Sequence, residues 1–162
     1  MKNWLTTLHG REFKIMRLGE PPPAQTVLAD PQTVAQYARE ELPKSVRWNP
    51  DTENMAVVLL SARRHPIGFE IVSNGTLDTL LVHPREIFKP ALVLGAHAII
   101  LAHNHPSGDP TPSEADIRVT RDLVRAGQVL KIEVMDHIIL GRTAPDRLQD
   151  FTSLRELGYF YN

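Results

Sequence analysis

Two histidines and an aspartate in the middle of the chain have the types and the spacing of a metal site. His103 and His105 follow the apolar run at residues 98–102, and residues two apart on a strand point to the same side. Asp116 lies near the start of a predicted helix, three residues after Ser113, so the carboxylate and the hydroxyl share a helical face. The spacing therefore predicts that His103, His105 and Asp116 hold one ion together.

Three ligands of these types are typical of a catalytic zinc ion. Such a site leaves a fourth position for water and lowers the pKa of that water to about 7, and a nearby carboxylate can then take up the proton. Asp109 and Glu114 compete with Asp116 for the third position, but of the three only Asp116 shares a helical face with Ser113. Paired histidines alone are weak evidence, and the added serine and aspartate make the pattern specific.

The start of the helix that carries Asp116 allows two interpretations of Ser113. Its hydroxyl can bond a free backbone N–H of the first turn, or it can donate to the oxyanion that forms on an attacked carbonyl, and it can do both. Thr111 and Glu114 match a capping box, with Pro112 at the first helical position. We therefore expect the helix to begin at Pro112, after the turn at residues 106–110.

Two longer stretches carry a resemblance to a known family. They are HPREIFKP at residues 83–90 and HNHPSGDPT at residues 103–111. With Ser113 and Asp116 they resemble the JAMM signature, also called MPN+ or JAB, of metalloproteases, and specifically its bacterial RadC branch. The resemblance covers roughly residues 53–158. It implies a zinc hydrolase in which His103, His105 and Asp116 bind metal, Ser113 helps to hold the tetrahedral intermediate, and an upstream glutamate is the acid/base.

The identity of that glutamate rests more on the family than on physics. Glu53 immediately precedes the predicted strand at residues 55–60, where the family motif places its glutamate, and a carboxylate at a strand end can reach a central site. Glu70, in the middle of a predicted hairpin strand, is the rival. Glu86 lies in the first turn of a helix, where the helix dipole accounts for it. We favour Glu53.

One further pair of ionisable residues deserves a hypothesis. Asp136 and His137 are adjacent near a predicted strand start, and an outer hydrogen-bond partner of a ligand histidine would have this character. The interpretation that we favour is a buried, paired histidine without a part in the site.

Apolar periodicity predicts the elements that would position these residues. Strands are expected at residues 55–60, 67–72, 97–102, 129–135, 137–140 and 151–154. Helices are expected at 32–42 and 85–94, the second with Leu92 and Leu94 facing the sheet, and an amphipathic helical stretch follows the capping box at 114–126, ended by Gly127. This alternation of strands and helices predicts an α/β fold, a single JAMM-like domain with a mixed central sheet flanked by helices.

The first 45 residues are predicted to be an N-terminal extension with one helix, and residues 46–162 the metal-dependent domain. The extension would contain a short strand at residues 11–17, an extended polyproline segment at 21–23 and a helix that starts at Asp30 and Pro31. We expect an arm that packs on the domain and not a lid. Long relatives of the RadC type carry an N-terminal domain related to helix-hairpin-helix modules, which this sequence does not match.

Composition limits the remaining function classes. The 162 residues include no cysteine, which excludes disulfides, thiolate zinc sites and cysteine nucleophiles. The formal net charge of -1 argues against a nucleic-acid partner, and the arginines at 63, 64, 118, 121 and 125 are expected to be solvated. No stretch approaches the ~20 apolar residues of a membrane span. We expect a soluble, cytoplasmic protein without a membrane partner.

Two functions remain open at this point. One is a zinc-dependent hydrolase in which Glu53 moves the proton, Ser113 holds the oxyanion, and the substrate is a peptide or protein. The alternative is a DNA-repair-associated binding module of the RadC type with a structural metal. Three ligands favour the enzyme, because a closed structural zinc site has four protein ligands.

Overall fold

A computed structural model describes residues 26–75 and 82–161. The strands are β1 (Asn54–Leu60), β2 (Pro66–Asn74), β3 (Ala98–Asn104), β4 (Glu133–Leu140) and β5 (Phe151–Ser153), and the helices are α1 (Pro31–Glu41), α2 (Pro84–Leu94) and α3 (Glu114–Leu130). The strands form one mixed sheet in the order β2-β1-β3-β4-β5. This confirms the predicted α/β class. The strand expected at residues 11–17 and the polyproline segment at 21–23 lie outside the described residues.

Strand pairing brings the start of β1 and the ends of β3 and β4 to one end of the sheet. β1 runs antiparallel to β3, so that Met55 pairs with His103. β3 runs parallel to β4, with Asn104 beside Leu140. A parallel pair needs a crossover connection, and α3 provides it by starting near the end of β3. Four elements therefore meet where the two histidines lie.

The two faces of the sheet are covered by different helices. α1 packs on β4 and β5 and buries Val34, Ala35, Tyr37 and Ala38, a stripe with the spacing of one helical face. α2 and α3 cover the opposite face, where they pack in one core cluster with Val57 of β1 and Leu101 of β3. β1 and β3 are buried along their whole length. Strands buried on both faces have the nearly continuous apolar sequence seen in β1 and in most of β3.

β4 is one strand, whereas the sequence predicted two. Ile99 pairs with Val134 and Ile100 pairs with Asp136, so Met135 is an extra residue without a partner on β3. One extra residue in a strand is a β-bulge. The bulge interrupts the regular alternation of side chains, which explains why residues 129–135 and 137–140 were predicted as separate strands.

The predicted start of α3 is wrong by two residues. Ser113 is the N-cap, and it forms the capping box with Asp116, not Thr111 with Glu114. The reason is that Asp109 already accepts bonds from both the backbone N–H and the hydroxyl of Thr111, at 2.9 and 2.7 Å. Thr111 therefore belongs to a turn outside the helix.

The predicted end of α3 is also wrong, because the helix continues past Gly127 to Leu130. A left-handed residue, Lys131 with φ of 57°, follows it. Gly127 serves packing instead: a Cβ built on it would lie 2.5 Å from the backbone oxygen of Ile132. Residues 129 and 130, predicted as the start of a strand, are consequently helical.

α2 follows its prediction at both ends but not along its apolar face. It ends at Gly95, which has φ of 63° as expected of a helix-terminating glycine. Phe88 and Ala91 are buried, whereas Leu92 and Leu94, which we expected to face the sheet, are exposed.

None of the helices in the described ranges has both the length and the apolar character that crossing a bilayer requires.

Candidate metal centre

The two histidines come from the end of β3 and reach the same point. His103 is fully buried and shares a face of the strand with Leu101 and Ile99, since side chains alternate. His105 follows the strand, and its side chain keeps 13% of its exposure. The two Nε2 atoms lie 3.0 Å apart.

Asp116 is aimed at the histidines by the capping box of α3. Its N–H donates to Ser113 Oγ at 3.1 Å, and its Oδ2 accepts from both the backbone N–H and the hydroxyl of Ser113 at 2.7 Å. The side chain is 2% exposed; Oδ1 lies 3.3 Å from Nε2 of His103, and Oδ2 lies 3.6 Å from Nε2 of His105. Local helix geometry thus holds a buried carboxylate against both imidazoles.

The three side chains are close enough to share one metal ion. Taking one ligand atom from each residue, the three atoms lie within 4.8 Å of one another. In a tetrahedron with metal–ligand bonds of about 2.0–2.1 Å, neighbouring ligand atoms lie about 3.3 Å apart. The two imidazole nitrogens, 3.0 Å apart, are near that separation, and each oxygen of Asp116 lies against a different histidine. Within residues 26–75 and 82–161, the cluster at this position consists of His103, His105 and Asp116. The group could hold a metal ion.

Burial and neighbouring charges shift the pKa values of all three groups in the cluster. Burial alone would raise the pKa of Asp116, but the hydrogen bond with His105, the charge of His103 and the bonds from Ser113 hold that pKa well below its usual range. Burial lowers the pKa of His103 far below 6.5. Burial also acts to lower the pKa of His105, but Asp116, the carbonyl of Asp109 and the charge of Glu53 raise it overall. One carboxylate and one uncharged buried imidazole are therefore available as ligands.

The Nδ1 atom of each candidate ligand histidine is hydrogen-bonded. His105 Nδ1 lies 2.6 Å from the carbonyl oxygen of Asp109, and His103 Nδ1 lies 2.7 Å from Nε2 of His137. His137 Nδ1 in turn lies 2.6 Å from the hydroxyl of Thr120. Such outer contacts orient the rings of ligand histidines.

His137 is therefore the outer hydrogen-bond partner of His103, whereas the sequence alone favours a buried histidine without a part in the site. It is paired, as expected, but its partner is His103 itself. Burial lowers the pKa of His137 to about 4. The part of Thr120 in these contacts is not predicted from the sequence, where its only signal is its place one helical turn after Asp116. Asp136 instead accepts a bond from the hydroxyl of Ser153 at 2.7 Å, and its pKa is raised by burial.

Glu53 and Glu70, the two candidates for the acid/base, occupy different places. Glu53 directly precedes β1 beside the end of β3, close enough for its charge to act on His105. Glu70 lies on the outer strand β2, about half exposed, with Arg47 at 3.8 Å. Of these two glutamates, Glu53 is therefore the one near His103, His105 and Asp116.

Comparison with known proteins gives the fold and the cluster a family. The model of the RadC-like JAB domain matches residues 28–159. The chain belongs to the RadC-like JAB domain family. It is 43% identical over 143 residues to a UPF0758 protein of Symbiobacterium thermophilum, covering 88% of this chain and 56% of that protein. It is 46% identical over 137 residues to a UPF0758 protein of Desulfitobacterium hafniense, covering 85% and 56%. The chain thus spans about half the length of these relatives.

The rival ligands in this RadC-like JAB domain point elsewhere. Asp109 is exposed, and its carboxylate bonds Thr111 and lies 3.5 Å from Arg147. Glu114 is exposed at the first position of α3. The arginines at positions 63, 64, 118, 121 and 125 are exposed as well, in agreement with a solvated surface.

A shallow groove opens beside His105 in this RadC-like JAB domain. Its volume is about 170 Å³, and its walls come from the segment after α1 and from the ends of β3 and β4, including Pro43, Trp48, Asn104, His105, Leu140 and Arg142. A larger cavity of about 460 Å³ lies at the far end of α3, between Lys131 and Phe160. The larger cavity is not lined by the candidate ligands, so the groove is the relevant opening.

Proposed function

We propose that this protein is a zinc-dependent hydrolase of peptide or isopeptide bonds. The observation that carries the proposal is the convergence of His103, His105 and Asp116, whose potential ligand atoms lie within 4.8 Å of one another, with His105 on the wall of a groove. Three protein ligands are the number found at catalytic zinc sites. Membership of the RadC-like JAB family supports the same chemistry.

The ligands suit zinc, and the neighbouring residues supply what hydrolysis needs. When bound, zinc would supply Lewis acidity, which lets water act as a nucleophile near neutral pH. Glu53 would take a proton from the attacking water and deliver it to the nitrogen of the leaving amine. Its position beside His105 supports this assignment over Glu70.

Ser113 would stabilise the oxyanion on the attacked carbonyl. Its hydroxyl donates to Asp116 Oδ2 at 2.7 Å, so in this role the hydroxyl hydrogen would turn from the carboxylate toward the developing negative charge. The backbone N–H of Ser113 also donates to Asp116 and would remain to hold the ligand during that rotation.

The groove supports an extended chain as the substrate. Pro43, Trp48 and Leu140 give it an apolar wall next to His105. The guanidinium groups at its rim are engaged, since Arg39 bonds Asp150 and Arg142 bonds the carbonyl of Pro106. Among the described residues that line this open groove, the two arginines are already paired, which suits the backbone of a peptide segment better than a small charged molecule.

Metal analysis tests the ligand set. Wild-type protein should bind about one zinc ion, and His103→Ala or Asp116→Ala should abolish that binding because two ligands do not retain the ion. The fold should mostly survive, as judged by circular dichroism. Stoichiometric zinc in both variants would refute this ligand set.

Paired glutamate variants test the chemistry. A substrate is first found by screening wild type against peptides and isopeptide-linked conjugates. Glu53→Gln should keep its zinc and lose ~10²- to 10⁴-fold in rate, the usual contribution of a general acid/base, while Glu70→Gln stays active. An inactive, zinc-loaded Glu70→Gln beside an active Glu53→Gln would move the base to β2.

A further inference from the structure

Three hydrogen bonds connect the backbone of α3 at Asp116 to the ring of His103, through Thr120 and His137. Thr120 Oγ1 lies 2.6 Å from the carbonyl oxygen of Asp116 and 2.6 Å from Nδ1 of His137. Nε2 of His137 lies 2.7 Å from Nδ1 of His103. All of these side chains are buried at 0% exposure, so water does not offer alternative partners.

The direction of each bond follows from the first one. A carbonyl oxygen only accepts, so the single hydroxyl hydrogen of Thr120 must point to Asp116. The hydroxyl oxygen then accepts from His137, which places a hydrogen on Nδ1 of that ring. A neutral imidazole carries one N–H, and a buried imidazolium would be costly. Nε2 of His137 is therefore an acceptor.

The same logic fixes the ring of His103. Because Nε2 of His137 accepts, His103 must donate from Nδ1, and its own Nε2 is left with a free lone pair. That atom is the one that lies 3.3 Å from Oδ1 of Asp116 and 3.0 Å from Nε2 of His105. A ligand nitrogen must present such a lone pair to a metal ion.

We propose that Thr120 and His137 are positioning residues that hold His103 in the tautomer whose Nε2 is ready to bind metal. The proposal rests on the proposed metal site but concerns the protein before metal arrives. His105 achieves the same result differently, because the backbone carbonyl of Asp109 holds its Nδ1 hydrogen. One ligand histidine is thus set by the backbone and the other by two side chains that substitution can remove.

The tautomer is measured directly in metal-free protein. Nitrogen-15 NMR of the imidazole rings at mildly alkaline pH, with His103 assigned by comparison with His103→Gln, distinguishes a hydrogen on Nδ1 from one on Nε2. We expect the hydrogen on Nδ1 of His103 in wild type. A hydrogen on Nε2 overturns the proposal, whatever the protein hydrolyses.

Two substitutions of Thr120 separate positioning from packing. Thr120→Ser keeps the hydroxyl and loses a methyl group, whereas Thr120→Val keeps the shape and loses the hydroxyl. Positioning predicts that Thr120→Val mixes the two tautomers of His103 and weakens zinc binding ~10- to 100-fold, the usual loss for an outer partner, and that Thr120→Ser retains the wild-type tautomer and most of the affinity. A purely structural role predicts the reverse order, since valine fills an apolar site better than serine.

His137→Phe provides a second variant if Thr120→Val does not fold. It fills the space with a ring and removes the acceptor for His103, so the tautomers should mix and zinc affinity should fall by the same factor. An unchanged His103 tautomer in this variant overturns the proposal. Failure of the proposed hydrolase function looks different, as absence of cleavage with the tautomer intact.

Discussion

Two helices of this protein begin with an aspartate that accepts hydrogen bonds from a backbone N–H and a hydroxyl, but the aspartate is the N-cap residue in α1 and lies three residues after the N-cap in α3. At the start of α1, Asp30 accepts bonds from the backbone N–H and the hydroxyl of Thr33 at 2.9 and 2.7 Å. At the start of α3, Asp116 accepts the same two kinds of bond from Ser113, both at 2.7 Å. Asp30 is exposed to solvent, whereas Asp116 is buried against two histidines.

The difference shows that capping orients a carboxylate but its surroundings decide what the carboxylate does. The bonds from Thr33 lower the pKa of Asp30, and those from Ser113 help to lower the pKa of Asp116 despite burial. At α1 the outcome is a helix start. At α3 such bonds leave a negative charge directed at two imidazoles, an arrangement that could hold a metal ion.

The largest expected contrast is in metal binding. Asp116→Asn keeps an oxygen for the cap but removes the charge and one oxygen ligand, so zinc affinity should fall by more than ~100-fold, beyond the loss typical for an outer partner. Asp30→Asn makes the identical change at α1 and should leave the affinity as in wild type. Competition with a chelating indicator measures both, and similar affinities in the two variants would contradict the comparison.

A second test moves α3 from its far end. Gly127→Ala would place a Cβ 2.5 Å from the backbone oxygen of Ile132, and overpacking of this kind costs about 1–3 kcal/mol. The helix would have to shift, and Asp116 with it, so zinc affinity should also fall. Gln128→Ala, at the adjacent exposed position, is the control. Equal denaturant midpoints for the two variants would show that the close approach is unimportant.

A smaller effect is expected from the capping hydroxyls. Ser113→Ala removes a cap and one bond to Asp116, so it should cost about 1 kcal/mol of stability and weaken zinc binding. Thr33→Ala removes the corresponding hydroxyl from α1 and should leave zinc binding unchanged. Urea unfolding and zinc titration follow the two effects, and Ser113→Thr should restore both. Equal zinc affinities for Ser113→Ala and wild type would separate the cap from the site.

The smallest effect is the pH dependence of the α1 cap. The pKa of Asp30 is lower in the folded protein than its ordinary value of 3.8, so its stabilising contribution is present above that value and is lost as the pH falls through the folded pKa. Asn caps a helix about as well and does not titrate. Metal-free wild type should therefore lose stability relative to Asp30→Asn as the pH falls from about 5 to 3. A difference that grows in the opposite direction would refute the assigned shift.

The sequence allowed prediction of the cluster of His103, His105 and Asp116 because this cluster depends on local regularities. Strand alternation puts His103 and His105 on one side, and helix spacing puts Ser113 and Asp116 together, so tertiary structure is not needed to see the pattern. The class of the sheet followed from apolar periodicity in the same way. The one local error at the site was the capping box, because two overlapping pairs matched it and the turn around Asp109 decided between them.

The outer contacts of the site could not be predicted from local patterns. Thr120 and His137 are 17 residues apart and meet only because α3 packs on β4. Gly127 reads as a helix end in the sequence, which does not show that the backbone of Ile132 lies against it. The apolar residues of α2 predict a buried face that includes Leu92 and Leu94, whereas the face that is buried is narrower.

The bulge at Met135 changes which side chains of β4 point to each face of the sheet. Val134 and His137 point to the same face although they are three residues apart, and Asp136 points to the opposite face. If β4 kept every residue but alternated strictly from Val134 without the bulge, the two would exchange, with Asp136 pointing toward His103 and His137 toward α1. The carboxylate of Asp136 would then lie on the side of Asp116, and His103 would lose its acceptor. The chemistry that the candidate centre can support therefore depends on this bulge as well as on which residues the strand contains.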